Sequence, residues 1–470
     1  MSKKIYITTT LPYVNSDPHI GFALEIVQAD VLARYYRKEG YDVFFNTGTD
    51  EHGLKIFQSA LKQKMDPQEY CNIYAQKNRA LKEALNLSYN SFVRTTDDYH
   101  IKAAQEFWRR CYKNGDIYKK NYKAKYCVGC ELEKRDSELV NGRCPLHPQR
   151  ELEIIEEENY FFRYSKYQKA LLEFYEKHPD FVVPSSRFKE IKEFTKRGLE
   201  DFSVSRLKKK MPWGIPVPGD EDHVMYVWFD ALVNYISALG WPFNLKKFNE
   251  FWPGLQLAGK DNLRQQSSMW QAMLLSAGLS PSKQIFIHGF ITANGQKMSK
   301  SLGNFIDPFE LVEKYGTDAV RYYLLREISP TEDSDFTYQK FEARYNSDLA
   351  CGLGNLLARC CGLRESKTEP RPRRETILKI KKIREDYKKA IENFKFNEAL
   401  THIWGLVDDC DHCISKERLW EKKDKEIIND LFYILNAISD LLEPFLPQTS
   451  QQIKDTVIKG GKTILFPRLF

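Results

Sequence analysis

Two short pairs of metal-ligand residues lie in the first third of the sequence. Cys127 and Cys130 form a C-x-x-C pair, Cys144 and His147 form a C-x-x-H pair, and thirteen residues separate the two pairs. Three thiolates and one imidazole at this spacing suit one tetrahedral Zn²⁺ ion. Because protein would fill all four positions, the sequence predicts a closed, structural site, with free thiols as the alternative.

Two other segments contain residue types suited to binding phosphate. His19 and Gly21 stand where an extended segment gives way to a long helix, so the first amides and the positive dipole end of that helix would face a phosphate. Far downstream, Lys297 and Lys300 lie in a glycine-flanked loop, where two ammonium groups can stabilise charge as pyrophosphate leaves. The alternatives are a surface histidine and an ordinary basic turn.

The elements around His19 indicate an α/β fold. Lys4 to Thr10 alternates β-branched and aromatic residues and predicts a strand. Ile20 to Lys38 has apolar residues at helical spacing, Gly40 closes this helix, and Tyr41 to Asn46 predicts a second strand. Strand, helix and strand in this order predict a parallel α/β unit.

The middle of the chain interrupts this pattern. From about Ile117 to His223 it has clustered cysteines, turns and charged helices, ending in the proline-rich run Met211 to Pro218, which indicates an insertion. The α/β pattern resumes with Val224 to Phe229, a helix from about Ala231 and the strand Gln284 to Ile287.

Long amphipathic stretches follow Phe341, so the C-terminal part is predicted to be all-helical. The predicted domains are residues 1–116 and 224–340, which form two halves of one α/β domain, the insertion 117–223 and the helical part 341–470.

Composition is that of a globular protein with more than one core. The chain has 470 residues, 42% hydrophobic and 29% charged, with a formal net charge of +7. No signal peptide and no long apolar stretch is found, and the cysteines are scattered, so a cytoplasmic location and no membrane association are expected. Cys71, Cys111 and Cys351 are predicted to be core residues, and the pair Cys410 and Cys413 is taken as incidental.

Several motifs together resemble one enzyme family. His19 to Phe22 and Lys297 to Ser301 resemble, in the expected order, the HIGH and KMSKS signatures of class I aminoacyl-tRNA synthetases. Five more blocks are similar to methionyl-tRNA synthetases: Thr10 to Asn15, Thr47 to Gly53, Tyr226 to Ala231, Gly259 to Asp261 and Ile287 to Phe290. The similarity extends over essentially the whole chain.

The resemblance implies a split Rossmann-like parallel-sheet catalytic domain with a zinc-knuckle insertion and an all-α C-terminal anticodon-binding bundle. It implies activation of methionine with ATP and Mg²⁺ at the carboxyl ends of the strands. The implied catalytic residues are His19, Gly21, Lys297 and Lys300, and the implied ATP-binding residues are these four with Gly259, Asp261 and His288. The implied methionine-binding residues are Leu11, Tyr13, Asp50, Trp228, Ala231, Tyr235 and Gln266.

In the helical part, the resemblance assigns Asn355, Arg359 and Trp420 to the anticodon of tRNA(Met), the initiator tRNA included. Asn355 and Arg359 would bind base edges, and Trp420 would stack on a base. Without the family, Asn355 and Arg359 would form a polar contact between helices, and Trp228 and Tyr235 would be core aromatics.

The sequence departs from the family pattern at a few positions. Phe22 replaces the second signature histidine, and Gln265 and Gln266 stand where a Phe-His pair is common. An amide can hydrogen-bond but cannot protonate as imidazole does. Leu232 and Leu419 replace prolines and are expected to be tolerated.

Three other functions stay open at this level. A nucleotidyltransferase that does not use tRNA would share the phosphate motifs without needing the helical domain. An inactive RNA-binding paralogue would keep that domain and could lose phosphate contacts. Another class I synthetase for an apolar amino acid would often carry a larger editing insertion. Since no further module follows the bundle before Phe470, a monomer is expected.

Overall fold

A computed structural model describes residues 3–134, 136–298, 304–363, 371–459 and 464–469. Its strands are β1 (Lys4–Thr8), β2 (Asp42–Thr49), β3 (Ser91–Arg94), β4 (Ile117–Cys127), β5 (Leu132–Lys134), β6 (Glu153–Phe162), β7 (Val182–Val183), β8 (Phe202–Ser203), β9 (Ser205–Leu207), β10 (Pro216–Val217), β11 (Asp220–Met225), β12 (Leu255–Gly259), β13 (Gln284–His288), β14 (Ile291–Ala293), β15 (Gln296–Lys297) and β16 (Ser334–Phe336).

Its helices are α1 (Ile20–Lys38), α2 (Leu54–Lys62), α3 (Pro67–Ala84), α4 (Asp98–Lys113), α5 (Gln168–Lys177), α6 (Ser185–Lys196), α7 (Val227–Leu232), α8 (Asn234–Ser237), α9 (Leu245–Phe251), α10 (Trp270–Ser276), α11 (Pro308–Tyr315), α12 (Thr317–Arg326), α13 (Tyr338–Arg344), α14 (Asn355–Leu363), α15 (Arg374–Glu392), α16 (Phe396–Lys416), α17 (Leu419–Lys422), α18 (Lys425–Leu442) and α19 (Pro447–Lys459). Two π-helical segments, Gln265–Met269 and Tyr345–Gly354, precede α10 and α14.

The chain forms two compact units, and each unit is discontinuous in sequence. The first unit comprises Met1–Asp17, Tyr41–Ala80 and Tyr89–Ile287. The second unit comprises Pro18–Gly40, Leu81–Ser88 and His288–Phe470. The predicted domain boundaries stay a prediction.

A six-stranded sheet in the order β3-β2-β1-β12-β13-β7 forms the centre of the first unit. β1 pairs in parallel with β2 on one side and with β12 on the other, although β2 and β12 are more than two hundred residues apart. This confirms the predicted split α/β fold. The order reverses at β1, where ligands of such sheets commonly bind beyond the carboxyl ends of the strands.

Aromatic residues fill much of the core of the first unit. Phe107 of α4 stacks on Trp270 of α10 with ring centroids 5.5 Å apart, and it meets Phe229 of α7 edge-on. Tyr235 lies in the same core, and its ring centroid is 6.0 Å from that of Trp270. Large aromatic side chains from α4, α7, α8 and α10 therefore pack together in one core.

The predicted insertion contains two antiparallel sheets, in the orders β5-β4-β6-β8 and β10-β11-β9. The proline-rich run contributes β10, an edge strand, where a missing amide is tolerated. β7 also lies within residues 117–223, yet it pairs in parallel with β13 of the central sheet.

Residues Val224 to Phe229, where the α/β pattern was predicted to resume, are divided between a strand and a helix. β11 ends at Met225 and α7 begins at Val227, with Tyr226 extended between them. A short, continuous apolar run has the same pattern in a strand and in a buried helix, so the sequence could not locate this boundary.

Helices dominate the second unit, as predicted for the region after Phe341. α15 packs on α16 and α18 packs on α19, while α1 packs on α12. The Arg321 guanidinium of α12 is fully buried, lies 2.9 Å from Asp30 of α1 and donates to the Phe445 carbonyl. Among the described residues, each helix is too short or too polar to cross a lipid bilayer.

Cysteine burial tests one further prediction. Cys71 and Cys111 are buried, as predicted. The prediction for Cys351 was wrong, since this residue is exposed. It lies in the π-helical segment Tyr345–Gly354, whose wider turn shifts side chains away from the α-helical spacing that the sequence suggested.

Candidate active site and metal centre

His19 caps the N-terminus of α1. Its Nδ1 accepts a hydrogen bond from the Gly21 amide over 3.0 Å, so the proton of the neutral ring is on Nε2. A side chain at position 21 would place a Cβ 2.8 Å from the His19 ring, which explains the glycine. An Nε2–H group on a helix N-terminus is well suited to an anionic oxygen.

The first amides of α1 differ from the sequence-based expectation. The Ile20 amide donates to the Ile306 carbonyl, and those of Phe22 and Ala23 donate to the His19 carbonyl. With the Gly21 amide held by the His19 ring, each of these donors already has an acceptor in the chain. The helix dipole and the imidazole remain as the means of attracting phosphate at this position.

Met298 of the predicted lysine loop and Phe305, which follows the loop, lie close to the start of α1. Phe305 meets the His19 ring edge-on with centroids 6.2 Å apart, and the Met298 methyl would lie 3.9 Å from a Cβ at Gly21. Lys300 lies outside the described residues. Lys297 ends β15, and its side chain is not described. The described part of the KMSKS-like segment is thus a neighbour of the HIGH-like segment within the second unit.

The other predicted ATP-binding residues occupy strand ends. Gly259 is the last residue of β12, and Asp261 is exposed in the 3₁₀ turn that follows. His288 ends β13, is buried, and has its Nε2 atom 2.8 Å from the Glu25 carboxylate of α1. Its Nδ1 atom lies 2.7 Å from the Gly289 carbonyl.

Asp50 follows β2 and is 6% exposed. Its Oδ1 atom is buried without a hydrogen-bond partner among the residues that the structure describes. Burial raises the pKa of Asp50 well above its ordinary value, and the negative charge of Asp230 adds to this shift. A carboxylate in this condition is suited to receive a cationic group, which would supply the missing partner.

Tyr13 pairs with Asp50 in an isolated parallel bridge, and its hydroxyl donates to the His52 carbonyl over 2.6 Å. Trp228 of α7 packs in the same small apolar cluster as Tyr13. The indole nitrogen of Trp228 is also buried without a partner among the described side chains. These three predicted methionine-binding residues therefore lie together.

Two further predicted methionine-binding residues, Gln266 and Tyr235, form a hydrogen bond with each other. The Gln266 Nε2 atom donates to the Tyr235 hydroxyl over 2.5 Å. The Gln266 Oε1 atom is buried and unpaired among the described residues. Ala231 is buried on α7, and Leu11 is partly buried in the segment after β1.

A buried hydrogen-bond network that the sequence did not single out links these elements. The two oxygens of Asp230 lie 2.7 Å from His52 Nδ1 and 3.0 Å from His100 Nε2. His100 Nδ1 lies 2.9 Å from the Ser237 hydroxyl. The pKa of Asp230 is lowered although burial acts to raise it, because both histidines favour its charged form. The network fixes α7 against the loop that carries Asp50.

The four predicted metal ligands come together in the first unit. The ligand atoms of Cys127, Cys130, Cys144 and His147 all lie within 4.8 Å of one another. The Cys130 amide donates to the Cys127 carbonyl and the His147 amide to the Cys144 carbonyl, so both pairs form the same tight turn. Three sulfurs and one ring nitrogen in this arrangement fit a tetrahedral Zn²⁺ ion.

The predicted anticodon residues lie in the second unit. Asn355 is exposed at the start of α14, and Trp420 on α17 is 53% exposed. Arg359 lies 2.7 Å from Asp411 and donates to the Ser415 hydroxyl on α16. The contact between helices that was the alternative for Arg359 is therefore present, whereas the large exposed ring of Trp420 is what base stacking requires.

Comparisons with known proteins identify the family. A family model described as "tRNA synthetases class I (M)" matches residues 5–153 and 138–361, and "Anticodon-binding domain of tRNA ligase" matches residues 374–468. A methionine–tRNA ligase of Thermotoga maritima is 42% identical over 96% of this chain and 74% of its own length. That of Thermosynechococcus vestitus is 42% identical over 96% of this chain and 90% of its own length. This chain belongs to the methionyl-tRNA synthetase family.

A solved methionyl-tRNA synthetase has the same fold. The Mycobacterium tuberculosis enzyme in complex with methionyl-adenylate has a TM-score of 0.91 and 34% identity, covering 100% of this chain and 99% of that one. The split α/β domain and the helical C-terminal part are thus those of a methionyl-tRNA synthetase.

Proposed function

We propose that this chain is an aminoacyl-tRNA ligase that activates methionine with ATP and transfers it to the 3′ end of tRNA(Met), the initiator tRNA included. The observation that carries this proposal is the buried carboxylate oxygen of Asp50 beside Tyr13, which has no hydrogen-bond partner among the described residues, in a chain of the methionyl-tRNA synthetase family. A methionine ammonium group would supply the partner that this oxygen lacks.

The reaction needs positioning and charge stabilisation, and no side-chain nucleophile. A carboxylate oxygen of methionine attacks the α-phosphorus of ATP, and the bond to pyrophosphate breaks. A ribose hydroxyl of the tRNA then attacks the methionyl carbonyl, and AMP leaves. His19 would donate from Nε2 to a phosphate oxygen, and Lys297 and Lys300 would neutralise the departing pyrophosphate with Mg²⁺.

The remaining assigned residues would bind the substrates. Asp50 would hold the ammonium group, while the side chain of methionine would lie against aromatic and polar side chains that suit a polarizable thioether. We assign this pocket to Leu11, Tyr13, Trp228, Ala231, Tyr235 and Gln266. We assign the nucleotide to Gly259, Asp261 and His288 in addition to the signature residues, and the anticodon to Asn355, Arg359 and Trp420.

Zn²⁺ would be held by Cys127, Cys130, Cys144 and His147, whose ligand atoms already cluster. All four positions are protein ligands, so the ion would stabilise the fold of the knuckle and leave no open position for substrate. We further propose that the enzyme acts in the cytoplasm as a monomer, which its mass in solution would test.

Amino-acid-dependent pyrophosphate exchange with each of the twenty amino acids tests the proposed function. Methionine should support exchange, and the other nineteen should support little. If another apolar amino acid is preferred, the substrate assignment is wrong. If none supports exchange while tRNA still binds, the protein is the inactive RNA-binding paralogue.

The lysine loop can be tested by the same assay. Lys300→Ala should lower methionine-dependent exchange by about a hundredfold or more, the scale of losing a preorganised charge contact, with the fold intact. Lys283→Ala removes an exposed lysine that follows α10 and should leave exchange unchanged. Near-normal exchange by Lys300→Ala would reject the role of this loop.

A further inference from the structure

The helix that follows Asp50 begins without a cap from its own sequence. α2 starts at Leu54, and the preceding residue is Gly53, whose φ of 113° is accessible to glycine and whose missing side chain cannot accept a hydrogen bond. A Cβ at this position would lie 2.1 Å from the Tyr13 hydroxyl. The start of α2 therefore depends on an acceptor from elsewhere in the chain.

Glu131 supplies that acceptor. Its Oε1 atom accepts from the Lys55 amide, in the first turn of α2, over 2.8 Å. The same oxygen lies 3.4 Å from the Tyr13 hydroxyl, and Oε2 accepts from the Tyr126 hydroxyl. Glu131 is 4% exposed, so its carboxylate faces the protein interior and these donors.

The metal-binding turn determines where Glu131 lies. Tyr126 directly precedes the first cysteine of the knuckle and Glu131 directly follows the second, so their contact closes the base of the turn. Glu131 has a φ of 51°, a left-handed conformation that is uncommon outside glycine. Such a conformation persists when surrounding contacts hold it, here the turn in which the Cys130 amide donates to the Cys127 carbonyl.

Two parts of the predicted methionine pocket depend on the position of α2 and of Tyr13. The Tyr13 hydroxyl donates to the carbonyl of His52, whose ring contacts Asp230 on α7. Asp50 precedes His52 in the same loop and pairs with Tyr13. A shift of the start of α2 would therefore displace the carboxylate and the aromatic wall together.

We propose that Glu131 is a positioning residue through which the zinc knuckle holds the methionine pocket in its binding conformation. It does so by capping α2, whose start at Gly53 lies beside the Tyr13 hydroxyl. This inference rests on the proposed function, because it takes Asp50 and Tyr13 as methionine-binding residues. It gives the knuckle a role in amino-acid binding although its ligands leave no open coordination position.

The test compares the KM values for methionine and for ATP in pyrophosphate exchange. Glu131→Ala should raise the KM for methionine by about tenfold or more, as expected for losing several hydrogen bonds to one buried carboxylate. The KM for ATP should stay within about twofold, and the protein should retain its zinc. Hydrogen exchange of the Lys55 amide should become faster. A purely structural defect would change both KM values and the zinc content.

Controls separate the possible failures. Glu151→Ala removes an exposed carboxylate of the same insertion and should change neither KM value. Glu131→Gln keeps the side-chain length and one acceptor oxygen, so it should raise the KM for methionine less than Glu131→Ala does. If the alanine variant does not fold, the glutamine variant still tests the inference. An unchanged KM for methionine, or loss of zinc, would overturn the inference. Absence of methionine-dependent exchange in the unaltered protein would instead overturn the proposed function.

Discussion

The surroundings of Asp50 are unfavourable for a charged carboxylate. Its carboxylate is buried, one oxygen has no partner in the described part of the chain, and the charge of Asp230 is close enough to raise its pKa further. Desolvation of a carboxylate is costly unless a cation or hydrogen bonds compensate it. A bound ammonium group would make this compensation, so the strain at Asp50 is consistent with a substrate contact.

Replacing Asp50 tests that contact. Asp50→Asn should raise the KM for methionine in pyrophosphate exchange by about ten- to a hundredfold, the scale of a charge-assisted hydrogen bond, and leave the KM for ATP nearly unchanged. Asp222→Asn, which neutralises an exposed carboxylate of the same unit, is the matched control. A normal KM for methionine in Asp50→Asn would exclude this residue as the ammonium ligand.

The raised pKa of Asp50 also predicts a pH dependence. A raised pKa means that the carboxyl group takes up a proton at a higher pH than usual, and the protonated form binds an ammonium group less well. The affinity for methionine should therefore fall as the pH is lowered towards this pKa. The same titration of Asp50→Asn should be flat in this range, and equal slopes for both proteins would contradict the assignment.

Residues differ in how well the sequence predicts them. The zinc ligands are predictable because their spacing is local, and the structure confirms that they cluster. Asp50 and Trp228 were found through resemblance to a family. The sequence analysis missed Glu131, His52 and His100. Each of them contacts a partner that is distant in sequence, namely Lys55 for Glu131 and Asp230 for the two histidines, and no local spacing predicts such a contact.

At the scale of elements, α1 was predicted with the bounds that it has, since its apolar residues repeat regularly and Gly40 follows with a φ of 82°. The sequence did not show that β7, two residues long, would join the central sheet. Pairing of such a short strand is decided by tertiary contacts rather than by local propensity.

The short helix α17 presents Trp420 outward and gives a prediction for tRNA binding. It lies between Arg418 and Lys423, which both have left-handed backbone conformations. Trp420→Ala should lower kcat/KM for tRNA by about ten- to a hundredfold, the range of one lost stacking interaction. Methionine-dependent pyrophosphate exchange should be unchanged, because that step does not use the anticodon.

Ile458→Ala provides the control for Trp420→Ala. Ile458 is an apolar residue of the same unit, is 69% exposed, and lies on α19. Its replacement should affect neither reaction. If both variants lower tRNA charging equally, the effect reflects loss of exposed apolar surface, and Trp420 has no specific role.

At the scale of the whole molecule, the two units do not follow the order of the sequence. Pro18–Gly40, which contains α1, groups with His288–Phe470, although β1 and β2 on either side of it belong to the first unit. Local patterns identified each element, but they cannot show which distant segment a helix will pack on. The buried contact of Arg321 with Asp30 is such a long-range interaction.

The modest net charge of +7 and the basic helix α15 lead to a prediction about salt. Raising the salt concentration from about 50 to about 200 mM should increase the KM for tRNA severalfold or more, because cation release accompanies binding to phosphates. The KM for methionine in pyrophosphate exchange should change little by comparison. Equal responses of the two reactions would argue against electrostatic binding of the tRNA backbone.

Both ring nitrogens of His288 have hydrogen-bond partners within the second unit. The Gly289 carbonyl can accept but not donate, so the proton on His288 Nδ1 is committed to it. The Nε2 atom on the other side of the ring lies 2.8 Å from the Glu25 carboxylate. The imidazole ring is thus held at both nitrogens, and the Glu25 contact ties His288 to the helix that begins after His19.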